Sequence, residues 1–315
     1  MTDPKRPESL VAAHEAELIE LAASDPSFRV FDGADGPTAG PFATKFPQRY
    51  SRASTSGSSW LSEAAGRAAL DRAIFARASS TDSASGAYGT IRDSICGPGA
   101  NVKVVGTHGG PPSEGVTGEG RIVEDIGVLR GLPRMTVAVP ADAPSARAAT
   151  RALAGFSGPA YLRLTRTDLP TVTDGSFQLG RAPVLREGAD LTVVAVGALV
   201  ARGLDVADEL GRVGVSVRVL DFASIKPFDE KALLRAARET GAILTLEEHS
   251  VTTGLGSLVA SATAEESPVP VRRVGLPDVF GAPEGGGSGL DRFGVSRERC
   301  LEEAWSLLRL RGKVQ

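Results

Sequence analysis

The sequence predicts an α/β protein made of two doubly wound domains. Short apolar runs of strand length alternate with segments of helical periodicity, the rhythm of crossover units on a mostly parallel sheet. That rhythm is interrupted once, by a polar stretch from Pro170 to Glu187, and then resumes. Apolar residues are 42% of the 315, enough to fill a core on each side of the interruption.

The first segment, Ser9 to Ala23, places Leu10, Val11, Leu18, Ile19, Leu21 and Ala22 at helical spacing. Arg29–Asp32 reads as a short strand ending in the turn residues Gly33 to Pro37. Residues 101–107 read as a buried strand leading into His108-Gly-Gly110. A helix over Arg121–Leu132 follows, then a strand over Met135–Val139 that Pro140 stops. Ala143–Gly155 is helical and Ala160–Leu164 is a strand. After the polar break, strands are predicted at Leu191–Val196, Val215–Leu220, Ala242–Glu247 and Val269–Val274. Helices are predicted at Leu199–Leu210, Asp229–Thr240, Gly254–Glu265 and Ser296–Arg311, with a flexible Gly/Pro loop over Gly281–Gly289. The domains are accordingly placed at 1–175 and 186–315.

Residues 51–90 break the pattern. Ten Ser and ten Ala fill half of this stretch, and only Trp60, Leu61, Leu70, Ile74, Phe75 and Tyr88 could anchor it. Such a composition predicts small-residue helix and loop, or partial disorder.

Charge excludes some functions. Lys+Arg number 35 against 38 Asp+Glu, a net charge of −3, which argues against a nucleic-acid binder and a polybasic membrane anchor. The two cysteines, Cys96 and Cys300, are too far apart for a local metal pair and too few for a disulfide framework. No apolar h-region follows Met1 and no apolar run is long enough to span a bilayer, so a soluble cytoplasmic protein is expected.

Three histidines narrow the chemistry. His14 reads as a surface or capping residue of the first helix. His108 follows a buried strand among glycines, and in doubly wound sheets the carboxyl ends of strands meet ligands. His249, in Glu247-Glu-His-Ser250, also follows a strand and could serve a ligand site or a domain interface. Arg163 and Arg166 lie at and beyond another strand end, where guanidinium groups suit a phosphate or carboxylate; a salt bridge to a nearby acid is the alternative. These residues by themselves specify a two-domain α/β protein with a candidate anion site.

A longer pattern adds to this. Phe46-Pro-Gln-Arg-Tyr50, Ile91-Arg-Asp-Ser-Ile95, Val102 to His108, Glu124-Asp-Ile126, Met135 to Asp142 and Tyr161 to Arg166 together resemble the transketolase family. In the second half Asp221 to Pro227, Glu247-Glu-His249, Gly254 to Ser257 and Gly275 to Gly281 continue the resemblance. It matches the C-terminal subunit of a split transketolase, a pyrimidine-binding domain followed by a transketolase C-terminal domain. The resemblance implies thiamine diphosphate with Mg²⁺, held mainly by an N-terminal partner subunit in a heterotetramer, and a sugar phosphate as substrate. It further implies that Asp35 lies near the cofactor and that His108 and Arg166 bind the sugar phosphate.

The departures gather on the cofactor. The resemblance places a glutamate that activates the aminopyrimidine at the position of Gly57, and a stacking phenylalanine near Ser79 to Asp82. A substrate-facing histidine motif is replaced by Ser113 to Arg121, with Glu114 and Glu119 as nearby carboxylates. No catalytic residue is therefore assigned. Three expectations follow: a subunit of a two-component enzyme moving a two-carbon ketol unit, a non-catalytic or regulatory partner, or a stretch over 51–90 read out of frame from GC-rich codons.

Overall fold

The computed structural model describes residues 7–34, 40–54, 58–70, 73–111, 122–165, 167–279 and 289–313. They form two compact units, the first running to Leu179 and the second from Gly180 onward, with Pro111 counted in the second.

The first unit begins with helix α1 (Leu10–Ser24), capped by Ser9, whose hydroxyl accepts the amide of Ala12. Strand β1 (Arg29–Asp32) follows, then helix α2 (Pro41–Lys45), strand β2 (Tyr50–Arg52) and helix α3 (Ser59–Arg67). Strand β3 (Ile74–Ser79) leads into a helical stretch in which a short α-helix, α4 (Tyr88–Thr90), lies between π-helical turns at Asp82–Gly86 and Ile91–Cys96. Strand β4 (Val102–Gly109), helix α5 (Asp125–Arg130), strand β5 (Thr136–Ala138), helix α6 (Ala143–Gly155) and strand β6 (Ala160–Thr165) complete it. The strands run in the order β5-β6-β4-β3-β1-β2, all parallel.

The main correction to the sequence reading lies within 51–90. β3 stands between β1 and β4, and its residues from Ile74 to Ala78 are buried. An arginine in mid-strand hid it from a pattern search, because Arg77 is paired by a residue remote in sequence. Trp60, Leu61 and Ala64 are buried from α3, whereas Leu70 is 85% exposed and anchors nothing. His14 is corrected too: it is fully buried, its Nδ1 lies 2.8 Å from Thr150 Oγ1, and its ring tilts against Phe75. α1 packs on α6, and this histidine belongs to the seam between them.

Helix α6 is anchored at its start by Asp142. Oδ1 accepts the amide of Ser145 at 2.9 Å, and the Ser145 hydroxyl accepts the Asp142 amide in return, a reciprocal cap of about 1 kcal/mol. The same carboxylate accepts the amides of Val172 at 2.8 Å and Thr173 at 2.7 Å, and the Thr173 hydroxyl.

In the second unit strand β7 (Val184–Arg186) precedes β8 (Leu191–Ala195), helix α7 (Leu199–Gly211), β9 (Val217–Asp221) and the short β10 (Ser224–Lys226). Helix α8 (Glu230–Thr240), β11 (Ile243–Ser250), α9 (Leu255–Glu266), β12 (Val271–Leu276) and α10 (Arg297–Leu310) follow. The sheet order is β12-β11-β8-β9-β7; the β12-β11, β11-β8 and β8-β9 pairs are parallel, and β7 is antiparallel to β9. β7 is a second correction, a strand inside the stretch expected to be polar loop. It is only three residues long and sits at a sheet edge, so it carries no apolar pattern of its own. Cys96 and Cys300 are both buried thiols. Among the described residues no helix is long and apolar enough to cross a membrane. The Gly/Pro loop lies almost wholly outside the described residues.

Candidate functional site

In the first unit β2 and β3 lie on opposite sides of β1, so the strand order reverses there. Ligands of doubly wound sheets enter at the carboxyl ends of strands beside such a reversal. Here that edge is formed by Asp32 and Gly33 after β1, Ser79 and Ser80 at the end of β3, and Thr107 to Gly110 at the end of β4.

Beneath the β1–β3 edge lies a buried ion pair. Asp32 and Arg77 are register partners on the two strands. Arg77 Nε donates to Asp32 Oδ1 at 2.7 Å and Nη2 to Oδ2 at 2.9 Å, with both side chains fully buried. The Tyr50 hydroxyl donates to Oδ2 at 2.9 Å. Arg77 Nη1 has no hydrogen-bond acceptor among the described residues and lies 3.9 Å from Glu15 Oε2. Burial lifts the Tyr50 hydroxyl above its ordinary pKa, and the Asp32 charge adds to that. Over the turn after β1, Trp60 packs so closely that a Cβ on Gly33 would fall 2.9 Å from its Cζ2. An indole that sequence reading saw only as an anchor thus stands at the mouth of the edge.

A second buried cluster joins β3, β6 and α5. Tyr161 donates its hydroxyl to Asp125 Oδ2 at 2.7 Å and lies 3.2 Å from Ser80 Oγ. Arg163 Nε donates to the same carboxylate at 3.0 Å. Burial pushes the Tyr161 hydroxyl well above the usual tyrosine range, and the Asp125 charge reinforces the shift. Room for this cluster comes from glycines on β4. A Cβ on Gly106 would fall 2.7 Å from Tyr161 Cζ and closer still to its hydroxyl, and one on Gly109 would fall 2.7 Å from Arg163 Nε.

The sequence-based candidates divide as follows. His108 is exposed at the end of β4 with φ 61°, a left-handed backbone uncommon outside glycine. Its Nδ1 lies 3.1 Å from Thr107 Oγ1, which itself donates to Ala78 O at 3.0 Å. Arg163 is 2% exposed and faces Asp125, so the salt-bridge alternative describes its geometry and the anion it meets belongs to its own chain. Arg166, Asp35 and Gly57 lie outside the described residues, as do Glu114 and Glu119. His249 is fully buried in the second unit, donating from Nδ1 to Ser250 O at 3.0 Å, with Glu247 Oε2 3.9 Å away. Glu247 in turn accepts the amides of Leu255 and Gly256 at 2.6 and 2.9 Å, closing the buried start of α9. Asp32, Arg77, Asp125, Tyr161 and Thr107 were not singled out by sequence. Asp32, Arg77, Tyr161 and Thr107 share one signal, a polar residue inside a buried strand, and Asp125 opens helix α5; their pairing becomes legible only with the strand order.

The family model for the transketolase pyrimidine binding domain matches residues 9–172, and the model for the transketolase C-terminal domain matches residues 180–300. A 6-deoxy-6-sulfo-D-fructose transketolase subunit of Clostridium sp. (strain MSTE9) is 36% identical over 84% of this chain and 83% of its own length. An apulose-4-phosphate transketolase subunit of Phocaeicola vulgatus is 34% identical over 83% of this chain and 85% of its own. Among solved structures, one described as a split gene transketolase, an inactive beta4 tetramer, is 37% identical with a TM-score of 0.89, covering 97% of this chain and 99% of that one. On both domains and on relatives aligned along most of their length, the chain belongs to the transketolase family.

Proposed function

We propose that this chain is the C-terminal subunit of a two-component, transketolase-like enzyme that transfers a two-carbon ketol unit from a sugar phosphate. The observation that carries the reading is the near end-to-end alignment with a split gene transketolase chain, supported by relatives described as transketolase subunits. The partner is an N-terminal subunit bearing the diphosphate-binding domain, in a heterotetramer. His108, at the carboxyl edge of β4, and Arg166 contact the phosphate of the substrate. Domains at 1–175 and 186–315 and a cytoplasmic location belong to the same proposal.

The family generally depends on thiamine diphosphate, and in the complex this cofactor and its Mg²⁺ fall mainly to the partner, with Asp35 approaching it from this chain. The described residues of this chain do not fit the aminopyrimidine end of that group. Asp32 at the end of β1 and Asp125 at the start of α5 are held in buried pairs by Arg77 and Arg163. Ser79, which caps the amide of Asp82, and Ser80, beside Tyr161, stand where a stacking ring is expected. What this chain's described residues can do is shape the edge and present His108.

Those same pairs favour a second reading, a non-catalytic subunit that retains the fold and supports its partner. One experiment separates the two. The N-terminal subunit is assayed for ketol transfer with thiamine diphosphate, Mg²⁺ and sugar phosphates, with and without this chain. The enzyme reading expects turnover only with both chains, and is overturned by no gain over the partner alone. If both chains together are active and His108→Ala leaves that activity unchanged, the non-catalytic reading stands.

A further inference from the structure

The hydroxyl of Thr107 carries one proton, and that proton is directed to Ala78 O on the neighbouring strand at 3.0 Å. Its oxygen is then an acceptor toward His108 Nδ1, 3.1 Å away. A ring nitrogen facing an acceptor must carry the hydrogen. The neutral imidazole of His108 is therefore in the Nδ1–H form, with Nε2 as its acceptor nitrogen.

The backbone makes this arrangement directional. Thr107 is fully buried just before the left-handed residue His108, and its hydroxyl is bonded to β3. His108 then takes φ 61°, and the pairing of β4 with β6 shifts register between Gly106 and Gly109. The strained residue is exposed while the residue that holds its ring is not. Strain of this kind costs on the order of 1–3 kcal/mol and persists only where surroundings over-determine it.

We propose that Thr107 is a positioning residue for His108: its hydroxyl, relayed from Ala78 O, fixes the imidazole as Nδ1–H and makes Nε2 the nitrogen that meets a phosphate group. Protonation at Nε2 then adds a second donor without disturbing the bond to Thr107. The phosphate half of this inference rests on the sugar-phosphate reading above; the tautomer half does not.

The test uses the full chain with ¹⁵N-labelled histidine rings, where only three histidines contribute and His108→Ala assigns the signal. The expected spectrum shows the Nδ1–H form in the wild type and in Thr107→Ser. In Thr107→Val the ring reverts to the Nε2–H form that imidazole favours in water. An Nε2–H ring in the wild type, or an unchanged ring in Thr107→Val, overturns the proposal. Titration with inorganic phosphate forms the second arm. Protonation of His108 Nε2 is expected in the wild type, read as loss of its acceptor-nitrogen signal, whereas Thr107→Val, whose neutral ring already carries Nε2–H, shows no such signal to lose. If the tautomer behaves as stated but phosphate leaves the His108 signals unmoved, the tautomer half is upheld and the phosphate half fails together with the sugar-phosphate reading.

Discussion

Arg77 and Asp32 face each other across adjacent parallel strands and close a two-point ion pair with no exposure to solvent. Such a pair is strongly destabilising to break and far less so to replace whole, because a lone buried charge keeps its desolvation cost without its partner. Arg77→Met or Asp32→Ala is expected to cost about 3–5 kcal/mol. The double variant should cost less than the sum of the two. Urea unfolding of the four proteins of the cycle measures this, and simple additivity would show that the pair is not coupled.

Gly106 tests the second cluster. An alanine there needs the space of the Tyr161 ring, whose Cε2 and Cζ both lie 2.7 Å from the added carbon. Both residues are in the middle of the sheet, so neither can step aside cheaply. Gly106→Ala is expected to lose about 1–3 kcal/mol as an overpacked core. Displacing the Tyr161 hydroxyl from Asp125 adds to this, because hydrogen bonds to charged groups are worth about 1.5–3 kcal/mol. Tyr161→Phe alone should lose only the hydrogen-bond part, and urea midpoints of both variants make the comparison.

His14 should make the first unit sensitive to acid. Burial, reinforced by the Arg77 charge, holds its pKa well below the ordinary 6.5. The unfolded chain therefore takes up a proton first as pH falls, and the stability present above 6.5 is lost progressively below it. His14→Leu removes this titration, and Thr150 keeps its own bond to Ala146 O. Between pH 7 and 5 the wild type is expected to lose stability more steeply than His14→Leu, by up to about 1.4 kcal/mol per pH unit. Parallel slopes for the two proteins would refute it.

In the second unit, Glu247 is the expected point of failure. Its carboxylate takes two amides at the start of α9, and a Cβ on Gly254 would collide with it. Glu247→Ala should cost about 2 kcal/mol or more, as a lost buried cap, and Glu247→Gln less, since one amide oxygen still accepts. Thermal unfolding followed by circular dichroism is the measurement.

The parts of this fold that sequence made legible are those with local signals. The helix Ala143–Gly155, and the four-residue strand Arg29–Asp32 before glycine, announce themselves. β3 does not, because its middle residue is an arginine whose counter-charge comes from β1. The site divides the same way. His108 stood out by its position after an apolar strand, whereas Thr107, Asp125 and Tyr161 act through partners on other elements that no spacing rule connects.

The bonds from Asp142 to Val172 and Thr173 also say where the first unit can be cut from the chain. A fragment ending beyond Thr173 retains the last knot that closes its sheet-covering helix. One ending at Pro170 strands a buried carboxylate with three of its hydrogen bonds missing. A cut that frees the first unit therefore belongs beyond Thr173, and an aspartate about thirty residues upstream is the reason.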